Sequence, residues 1–410
     1  MSSRVHSLPL TFPVAANQLV VGGEPVGALV ERVGGTPLYV YDHTAMSERI
    51  AELRQTLPAA LHLHYAVKAN PMPAVLRHLA ARVDGFDIAS GGELTLALEA
   101  GMPAERISFA GPGKRRDELG QAIAAGVQIS VESESELEAV VRIGACLGRR
   151  PRVAIRVNPD FELKSAGMRM GGGPSPFGID AERLPTLLSR LERLGLDFRG
   201  LHIFAGSQNL HAAAIAEAQQ HTLALAERLA EHVPGPLHTL NLGGGFGIPY
   251  FPGDRPLDLA EVGTRLARSI AQAGPALRET QLIIELGRYI VGEAGVYLCR
   301  VLERKVSRGH CFLVTDGGLH HHLAASGNLG QVIRKNYPVV VANRVVPPES
   351  ETLATVVGPL CTPLDRLAVD MPLGHARVGD LIGVLQSGAY GLTASPTGFL
   401  SHPLPREVFV

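Results

Sequence analysis

The sequence predicts an α/β protein in which a (β/α)8 TIM-like barrel is followed by a mainly β domain. Apolar β-forming segments alternate about eight times with helical segments between residues 38 and 287, as a parallel sheet with helical crossovers requires. The helical patterns nearly disappear after residue 290. The chain has 410 residues, more than the roughly 250 that a barrel needs. A doubly wound open sheet is the alternative architecture.

The segments of the barrel follow one another along the chain. The strand-like runs are LYVYD from Leu38, LHLHYAVKA from Leu61, GFDIAS from Gly85, ISFAG from Ile107, QISVES from Gln128, RVAIRVN from Arg152, GLHIFAG from Gly200, TLNLGGG from Thr239 and LIIELG from Leu282. Helical periodicity is clearest in MSERIAELRQTL from Met46, ESELEAVVRIGACLG from Glu134 and IAEAQQHTLALAERLAEHV from Ile215. We therefore expect the barrel to occupy residues 38–287.

The rest of the chain has the texture of a β domain. Short β-like segments are separated by glycine and proline turns in GVYLCRVLERKV, CFLVTDGG, PVVVANRVV, TLATVVGPLC and DLIGVLQSGAYG. The segment QLVVGGEPVGALVERVG precedes the barrel and fits either domain. We expect a second domain made of residues 1–37 and 288–410.

Composition excludes several classes of protein. The 38 basic and 39 acidic residues give a net charge of −1, which argues against nucleic-acid and anionic-membrane partners. The four cysteines form no CxxC pair, so we expect neither a disulfide framework nor a zinc ribbon. The amino terminus lacks the apolar stretch of a signal peptide, and no run of about 18 apolar residues predicts a membrane span. These features predict a cytoplasmic enzyme.

Lys68 ends the apolar run LHLHYAVKAN. A lysine at the end of a buried strand is unfavourable unless it is paired or neutral. One reading is an ion-paired lysine with a buried stem. The other is a lysine that forms a Schiff base, for which a lowered pKa is useful.

Two further strand ends carry residues that suit a phosphate and a cation. Gly243, Gly244 and Gly245 close the strand TLNL, where they permit either a tight turn or a close approach of backbone N–H groups to phosphate. Glu285 lies inside LIIELGR, three residues before Arg288. Its carboxylate needs a partner, which is either that arginine or a protonated ring nitrogen.

His202 and Cys361 can each be interpreted as a structural or as a functional residue. His202 lies on the strand GLHIFAGSQ and either packs in the core or stacks against a flat cofactor ring. Ser207 follows on the loop, where its hydroxyl suits a phosphate. Cys361 lies in VVGPLCTPLD near Asp365, and a buried, inert thiol is the default for such a residue.

Taken together, these parts make a pyridoxal 5′-phosphate site, and the chain resembles the fold-type III pyridoxal-phosphate decarboxylases of the diaminopimelate and ornithine/arginine group. The pieces that carry the resemblance occur in the family's order over almost the whole chain. They are YAVKAN, FDIASGGEL, IRVNPD, LHIFAGSQ, LNLGGGFG, ELGRYIVGEAG, VGPLCTPLD and SGAYG. The resemblance implies an alanine racemase-like barrel and β domain, and release of carbon dioxide from an amino acid.

The resemblance also implies roles for individual residues. Lys68 forms the Schiff base with the cofactor, His202 stacks on its ring, and Glu285 keeps the pyridine nitrogen protonated. Cys361 donates a proton to the substrate carbon, and Cys361 and Tyr390 come from the partner subunit of a homodimer with shared active sites. The remaining positions flank the cofactor, its phosphate or nearby substrate groups: Asp87, Arg156, Ser207, Gly243, Gly244, Gly245, Gly287 and Arg288.

The sequence departs from the diaminopimelate decarboxylases at the positions that bind substrate. Those enzymes carry a glutamate after the matching cysteine, where this chain has Thr362, and an RPALY-like segment where this chain reads GGLHHHLAASGNLGQ. His321 lies in that segment. The segment resembles a branch found in natural-product, siderophore and exosortase-associated gene clusters, where one kind of enzyme acts on glutamate attached to a carrier protein. A substrate other than diaminopimelate is therefore expected, and an amino acid that is bound to a carrier protein or otherwise derivatised is one option.

Other substrates and reactions stay open. Asp316 and Asp365 match acidic positions that contact a distal amine in ornithine-type members, so an ornithine or lysine substrate is one alternative. True diaminopimelate decarboxylation, racemisation and a non-catalytic regulator are the others. We expect no metal at His320–His322, because adjacent histidines on a strand point to opposite faces.

Overall fold

The computed structural model describes residues 12–161, 168–169, 171–233, 235–329, 331, 334–346 and 352–410. The amino-terminal part of the predicted β domain, residues 1–11, lies outside the described residues, as do three residues of the GNLGQVIRKNYP stretch. The chain forms two compact units, of which one comprises residues 49–248 and 256–289, and the other residues 1–48, 249–255 and 290–410. We call them the barrel unit and the β unit.

Eight parallel strands close the barrel, which confirms the predicted fold. In chain order they are β1 His62–Ala66, β2 Gly85–Ile88, β3 Ile107–Phe109, β4 Gln128–Val131, β5 Arg152–Asn158, β6 Asp197–Ile203, β7 Thr239–Gly244 and β8 Gln281–Leu286. Each strand pairs in parallel with its sequence neighbours, and β8 closes the ring onto β1. A short strand, Ile179–Asp180, adds to β5 from outside the ring.

Helices connect the strands and cover the ring. They are Pro73–Ala80, Gly91–Glu99, Arg116–Ala125, Glu134–Leu147, Leu184–Leu188, Ala212–Ala230 and Leu259–Gln272. The sequence explains where several of them begin, because Ser90, Ser133 and Asp258 each accept a hydrogen bond from the backbone N–H three residues later. The helix His43–Thr56 precedes β1.

The β unit is built on an antiparallel and mixed sheet. Its strands are Gly295–Ser307, His310–Thr315, Val339–Val341, Ala354–Val357, Arg366–Met371, Leu381–Val384, Leu38–Tyr41 and Arg406–Phe409. A small sheet of Val14–Ala15, Gln18–Val21 and Glu24–Pro25 leads into the helix Val26–Val33. The four-residue helix Arg288–Val291 follows β8, and the boundary between the two units along the chain lies within it. Among the described residues no helix is both long and apolar enough to cross a membrane.

One strand-like segment of the sequence belongs elsewhere than expected. Leu38–Tyr41, the LYVYD segment, pairs with Gly295–Ser307 and with Arg406–Phe409, not with a barrel strand. All four of its residues are buried, so the apolar run fits the interior of the β sheet as well as it would fit a barrel. The compact barrel unit therefore begins at residue 49 and not at the expected residue 38.

The packing of two helical glycines yields a test of this fold. A Cβ on Gly263, in the helix Leu259–Gln272, would lie 2.2 Å from the Thr56 carbonyl oxygen, whereas one on Gly120, in the helix Arg116–Ala125, would meet nothing closer than 4.0 Å. Alanine is favoured over glycine within a helix by about 1 kcal/mol. We expect Gly120→Ala to raise the free energy of unfolding in urea by about 0.5–1 kcal/mol.

Gly263→Ala is the matched variant, for which we expect the opposite change in the free energy of unfolding. Because its methyl group meets backbone and not a movable side chain, we expect it to lower the free energy of unfolding by about 1–3 kcal/mol. Equal stabilisation by both substitutions would contradict the close packing of these helices.

Candidate active site

Lys68 lies at the carboxyl end of β1, in a single 3-10 turn formed by Val67–Ala69. Its side chain is exposed although both neighbours in the turn are buried. The Nζ atom lies 5.9 Å from the centroid of the Phe204 ring, at the end of β6. The apolar run therefore ends before the lysine, which presents its amine at the face of the barrel where active sites lie.

Glu285 on β8 is the charged centre of the barrel interior. The Asn241 Nδ2 atom donates a hydrogen bond to its carboxylate over 3.1 Å, and the His202 Nε2 atom lies 3.3 Å from the same oxygen. Burial alone raises the pKa of Glu285, but the charges of His202, Lys68 and Arg156 together lower it to about 2. Glu285 is therefore a buried carboxylate that stays ionised.

Asp87 on β2 is a second buried carboxylate with the opposite tendency. Burial raises its pKa, and the charge of Glu285 adds to this effect, while the nearby His64 opposes it. The His64 Nδ1 atom lies 3.3 Å from the Asp87 carboxylate. Two neighbouring carboxylates with pKa values pushed apart are typical of an active site, in which one remains charged and the other can hold a proton.

His202 points into the barrel, which resolves the ambiguity left by the strand pattern. It is 3% exposed, and its Nδ1 atom lies 3.2 Å from the Ser130 hydroxyl on β4. With Glu285 at its other nitrogen, the ring is held from both sides.

Arg156 on β5 is held by an acidic partner that the sequence analysis did not single out. Its Nη1 atom donates to Glu132 over 2.8 Å, and both side chains are buried. Glu132 follows β4 and also accepts the backbone N–H groups of Gly111 and Gly178. The ion pair with Glu132 thereby holds the positive charge of Arg156 in a fixed position in the barrel.

The glycine turn after β7 packs closely against neighbouring backbone. Gly243 and Gly245 have φ angles of 68° and 77°, which favour glycine. A Cβ on Gly245 would lie 2.2 Å from the Gly206 carbonyl oxygen. Beside this turn, the Ser207 Oγ atom is buried and has no hydrogen-bond partner among the described residues. The turn thus brings a polar, unsatisfied hydroxyl next to a glycine-lined backbone.

Gly287 and Arg288 follow β8 at the same end of the barrel. A Cβ on Gly287 would lie 2.8 Å from the Ala69 Cβ atom, so the chain packs directly against the turn that carries Lys68. Arg288 begins the short helix after the strand. These two residues join the group of barrel residues around Lys68 that the sequence predicts.

The remaining predicted residues lie in the β unit. Cys361 is a free, exposed cysteine, so the default expectation of a buried, inert thiol is not met. The neighbouring Thr362 accepts the Leu364 N–H with its hydroxyl. Tyr390 adopts a φ angle of 53°, a conformation that is uncommon for a residue other than glycine and that concentrates at functional sites.

Asp316 and Asp365 form hydrogen bonds with other residues of the β unit. Asp365 is 2% exposed and accepts the backbone N–H groups of Leu319 and Leu360 at 2.6 and 2.9 Å. Asp316 accepts the Thr36 hydroxyl at 2.5 Å and the Arg300 N–H at 2.8 Å. Burial raises the pKa of both carboxyl groups. These contacts favour a structural role for both residues, in which Asp365 holds the segments that carry Leu319 and Leu360 and Asp316 holds Thr36 and Arg300.

The three histidines lie in a turn after His310–Thr315, not on a strand or at the start of a helix. His321 contacts the Pro403 carbonyl oxygen at 2.9 Å and the Tyr297 hydroxyl at 3.2 Å, and His322 contacts the Ser387 hydroxyl at 2.9 Å. Burial lowers the pKa of His321 to about 4 and that of His322 to about 3. Within the part of the chain that the structure describes, no three His, Cys, Asp or Glu side chains are grouped as metal ligands.

Sequence reasoning missed four residues that organise the barrel interior, and these are His64, Ser130, Glu132 and Asn241. Each lies within or directly after an apolar barrel strand, where a polar side chain must find a partner. The position of a polar residue in or after an apolar strand was the one signal in the sequence that could have identified these residues. The identity of each partner could not be predicted, because the paired residues are up to 72 positions apart in the sequence.

A closed parallel barrel that gathers a lysine, an ionised buried carboxylate and a glycine turn at its strand ends defines an α/β-barrel enzyme. Comparison with known proteins identifies the family. The family description "Pyridoxal-dependent decarboxylase, pyridoxal binding domain" matches residues 43–292. The chain belongs to the pyridoxal-dependent decarboxylases, and the resemblance in the sequence is confirmed.

Relatives in this family cover nearly the whole chain. It is 38% identical over 383 residues to L-glutamyl-[BtrI acyl-carrier protein] decarboxylase of Niallia circulans, covering 91% of this chain and 88% of that protein. It is 35% identical over 384 residues to diaminopimelate decarboxylase of Aquifex aeolicus, covering 92% and 87%. The crystal structure of AQ1208 from Aquifex aeolicus matches with a TM-score of 0.83 at 31% identity, covering 98% of this chain and 92% of that chain.

The ionised state of Glu285 predicts a dependence of stability on pH. Its folded pKa of about 2 lies below the ordinary glutamate value of about 4.3, so its stabilising effect is complete above about pH 4.3 and is lost as the pH falls toward 2. The free energy of unfolding of the parent enzyme should fall between about pH 5 and pH 3, partly because Glu285 becomes protonated. We expect a smaller fall over this range in Glu285→Gln, measured by urea titration.

Glu138→Gln is the matched control, because Glu138 is an exposed glutamate on the helix Glu134–Leu147. We expect its profile to follow the parent enzyme. A Glu285→Gln profile that also follows the parent enzyme would show that Glu285 is not strongly ionised in the folded state.

Proposed function

We propose that this enzyme binds pyridoxal 5′-phosphate at the barrel site and decarboxylates an amino acid that is attached to an acyl-carrier protein. One observation carries the choice of substrate. The β-unit positions that would bind a charged distal group hold the uncharged Thr362 and the carboxylate of Asp365, whose two oxygens are already bonded to backbone N–H groups. A substrate with an uncharged, tethered tail fits these residues better than a free diamino acid.

The barrel residues fit the cofactor. The unsatisfied Ser207 hydroxyl and the glycine turn after β7 suit its phosphate group. The ionised carboxylate of Glu285 suits a protonated pyridine nitrogen, and the Lys68 amine is exposed at the same end of the barrel. His202, Asp87, Arg156, Gly287 and Arg288 complete the set of residues around it.

When bound, pyridoxal phosphate supplies the electron sink that decarboxylation requires. Glu285 contributes a fixed negative charge, because Asn241 and His202 hold its carboxylate in place. Lys68 provides the amine that anchors the aldehyde group of the cofactor. Cys361 provides a thiol that can deliver a proton after carbon dioxide has left, and its exposure leaves the sulfur accessible.

The tail of the substrate is the point on which this enzyme departs from diaminopimelate decarboxylases. Removing a charged partner from a buried, charge-assisted contact costs on the order of 2–5 kcal/mol. Thr362 offers a hydroxyl in place of a carboxylate, and that hydroxyl already accepts a backbone N–H. Diaminopimelate would therefore bind with at least one charged group unpaired.

Similarity to an enzyme that acts on a carrier-bound substrate supports a carrier protein as the group attached to the substrate. Of the two relatives compared, the Niallia circulans glutamyl-carrier decarboxylase is the more similar at 38% identity, against 35% for the Aquifex aeolicus diaminopimelate enzyme. A glutamyl group joined to a carrier has lost the free charge at the tethered end. We propose glutamate or a similar amino acid as the group that is carried.

We also propose that the enzyme works as a homodimer in which Cys361 and Tyr390 of one protomer complete the barrel site of its partner. Large apolar side chains of the β unit support an interface. Leu364 and Leu404 are 55% and 64% exposed, which is unfavourable in water. The exposure of Cys361 and the left-handed backbone of Tyr390 fit residues that act on a group outside their own unit.

Carbon dioxide release from defined substrates tests the proposed function. We expect kcat/KM for carrier-bound glutamate to exceed those for free glutamate, diaminopimelate, ornithine, lysine and arginine by about 30-fold or more, as about 2 kcal/mol of lost contact implies. Efficient turnover of free diaminopimelate would contradict the reading of Thr362.

Two cysteine variants separate the proposed proton donor from a general effect of losing a thiol. We expect Cys361→Ala to lower the formation of the amine product by about 100-fold, because a positioned proton donor contributes roughly that much or more. Cys146→Ala, at an exposed cysteine on the helix Glu134–Leu147, is the control and should leave the rate unchanged.

A further inference from the structure

A cavity of about 280 Å³ lies at the amino-terminal end of the barrel, opposite the end that carries Lys68. Its walls are formed largely by the first residues of the strands, including His62, Gln128, Arg152, Thr239 and Gln281. At about 30 Å³ for each water molecule, it has room for roughly nine waters, or for a small organic ion. Nothing in the decarboxylase chemistry uses this end of the barrel.

A β-bulge aims an arginine at this cavity. Phe198 lies opposite Val153 and Gly200 lies opposite Ala154, so Arg199 is an extra residue on β6 with no partner across the strand pair. Bulges of this kind redirect a side chain. Arg199 consequently lines the cavity.

The backbone next to the bulge has a conformation and a close contact that favour glycine at position 200. Gly200 has a φ angle of 152°, and a Cβ at this position would lie 1.8 Å from the Thr239 carbonyl oxygen. The Thr239 hydroxyl in turn donates to the Arg199 carbonyl oxygen over 3.3 Å. Strands β6 and β7 therefore approach closely at the point where Arg199 departs from the regular pattern.

One nitrogen of the partly exposed Arg199 guanidinium is not satisfied by the protein. Its Nε atom is buried and has no hydrogen-bond partner among the described residues, and the nearest carboxylate oxygen, on Asp197, lies 3.7 Å from Nη1. A buried, unpaired donor is unfavourable unless a ligand or water accepts its hydrogen bond. The unsatisfied group therefore points to an acceptor inside the cavity.

Two more arginines line the same cavity, which makes it a site for negative charge. Arg152 is fixed over it by hydrogen bonds from Nη1 to the carbonyl oxygens of Glu105 and Gly126. Burial lowers the pKa of Arg152, and the positive charge of Arg199 lowers it further, so the two guanidinium groups repel each other. Arg106 is the third arginine.

The acidic residues of the cavity balance only part of this charge. They are Asp84 and Glu105. Asp84 already forms an ion pair with Arg54 at 2.8 Å and accepts the Leu63 N–H at 2.7 Å. The lining thus carries three arginines against two carboxylates, and Asp197, 3.7 Å from Arg199, is a further acidic neighbour outside the lining.

We propose that this cavity binds a small phosphate-bearing anion. Planar guanidinium groups match the oxygens of phosphate, and two of them from adjacent strands provide charge-assisted hydrogen bonds from two directions. The neutral side chains of Gln128, Gln281 and Thr239 surround them with further hydrogen-bonding groups. The site is separate from the decarboxylation site and does not depend on the function proposed for it.

Calorimetric titration of the enzyme saturated with pyridoxal phosphate tests the site, because the cofactor then fills its own phosphate position. The probes are inorganic phosphate and glycerol 3-phosphate at constant ionic strength. We expect saturable binding that weakens roughly tenfold or more in Arg199→Gln, since charge-assisted hydrogen bonds are lost. Arg199→Lys should retain part of the affinity. Tighter binding of phosphate identifies the free ion as the ligand, and tighter binding of glycerol 3-phosphate identifies a phosphomonoester.

Arg268→Gln is the matched control on the exposed side of the helix Leu259–Gln272, and it should bind both probes as the parent enzyme does. Arg152→Gln should also weaken binding. Should that variant not fold, because Arg152 also bonds backbone carbonyls, Arg199→Gln decides the question alone. No saturable binding to the parent enzyme, or equal binding by the parent and Arg199→Gln, overturns the proposal.

Discussion

The barrel is organised around a carboxylate that is buried and nevertheless charged. An isolated ionised group in a protein interior is strongly unfavourable, and it persists only when paired. Glu285 meets this condition through His202 at 3.3 Å and the Asn241 amide at 3.1 Å, with the charges of Lys68 and Arg156 nearby. Burial raises the pKa of Asp87, and the negative charge of Glu285 raises it further. The charge state of the site thus follows from residues on or directly after six of the barrel strands.

The same constraint extends through the barrel. His64 lies 3.3 Å from Asp87 on one side and lines the cavity at the amino-terminal end on the other. The interior is therefore polar from the strand ends that carry Lys68 to the opposite end, where Arg152 and Arg199 lie. Barrels are usually filled by branched apolar residues, so each polar layer must be satisfied by a neighbouring strand or by a ligand.

The amino-acid sequence is sufficient for the barrel architecture and for locating the strand-end residues that we propose as the site. Strand and helix periods differ, and strand ends are where polar residues interrupt apolar runs, so Lys68, Gly243 and Glu285 could be found by position. Leu38–Tyr41 was placed in the barrel because an apolar run does not reveal its partner strands. The Asn241–Glu285 and Glu132–Arg156 contacts, and the bulge at Arg199, depend on register between distant strands, which no local pattern encodes.

We propose that Lys68 and the charged Glu285 together hold pyridoxal phosphate at the carboxyl ends of the barrel strands. Visible absorption of the enzyme, measured after pyridoxal phosphate has been added and the unbound cofactor removed by gel filtration, detects the lysine Schiff base, because neither the protein nor free cofactor then contributes to the band. We expect the band in the parent enzyme and in Lys305→Ala, which alters an exposed lysine of the β unit, and its loss in Lys68→Ala. A band that persists in Lys68→Ala, or that is absent from the parent enzyme, would show that Lys68 does not bind the cofactor in this way.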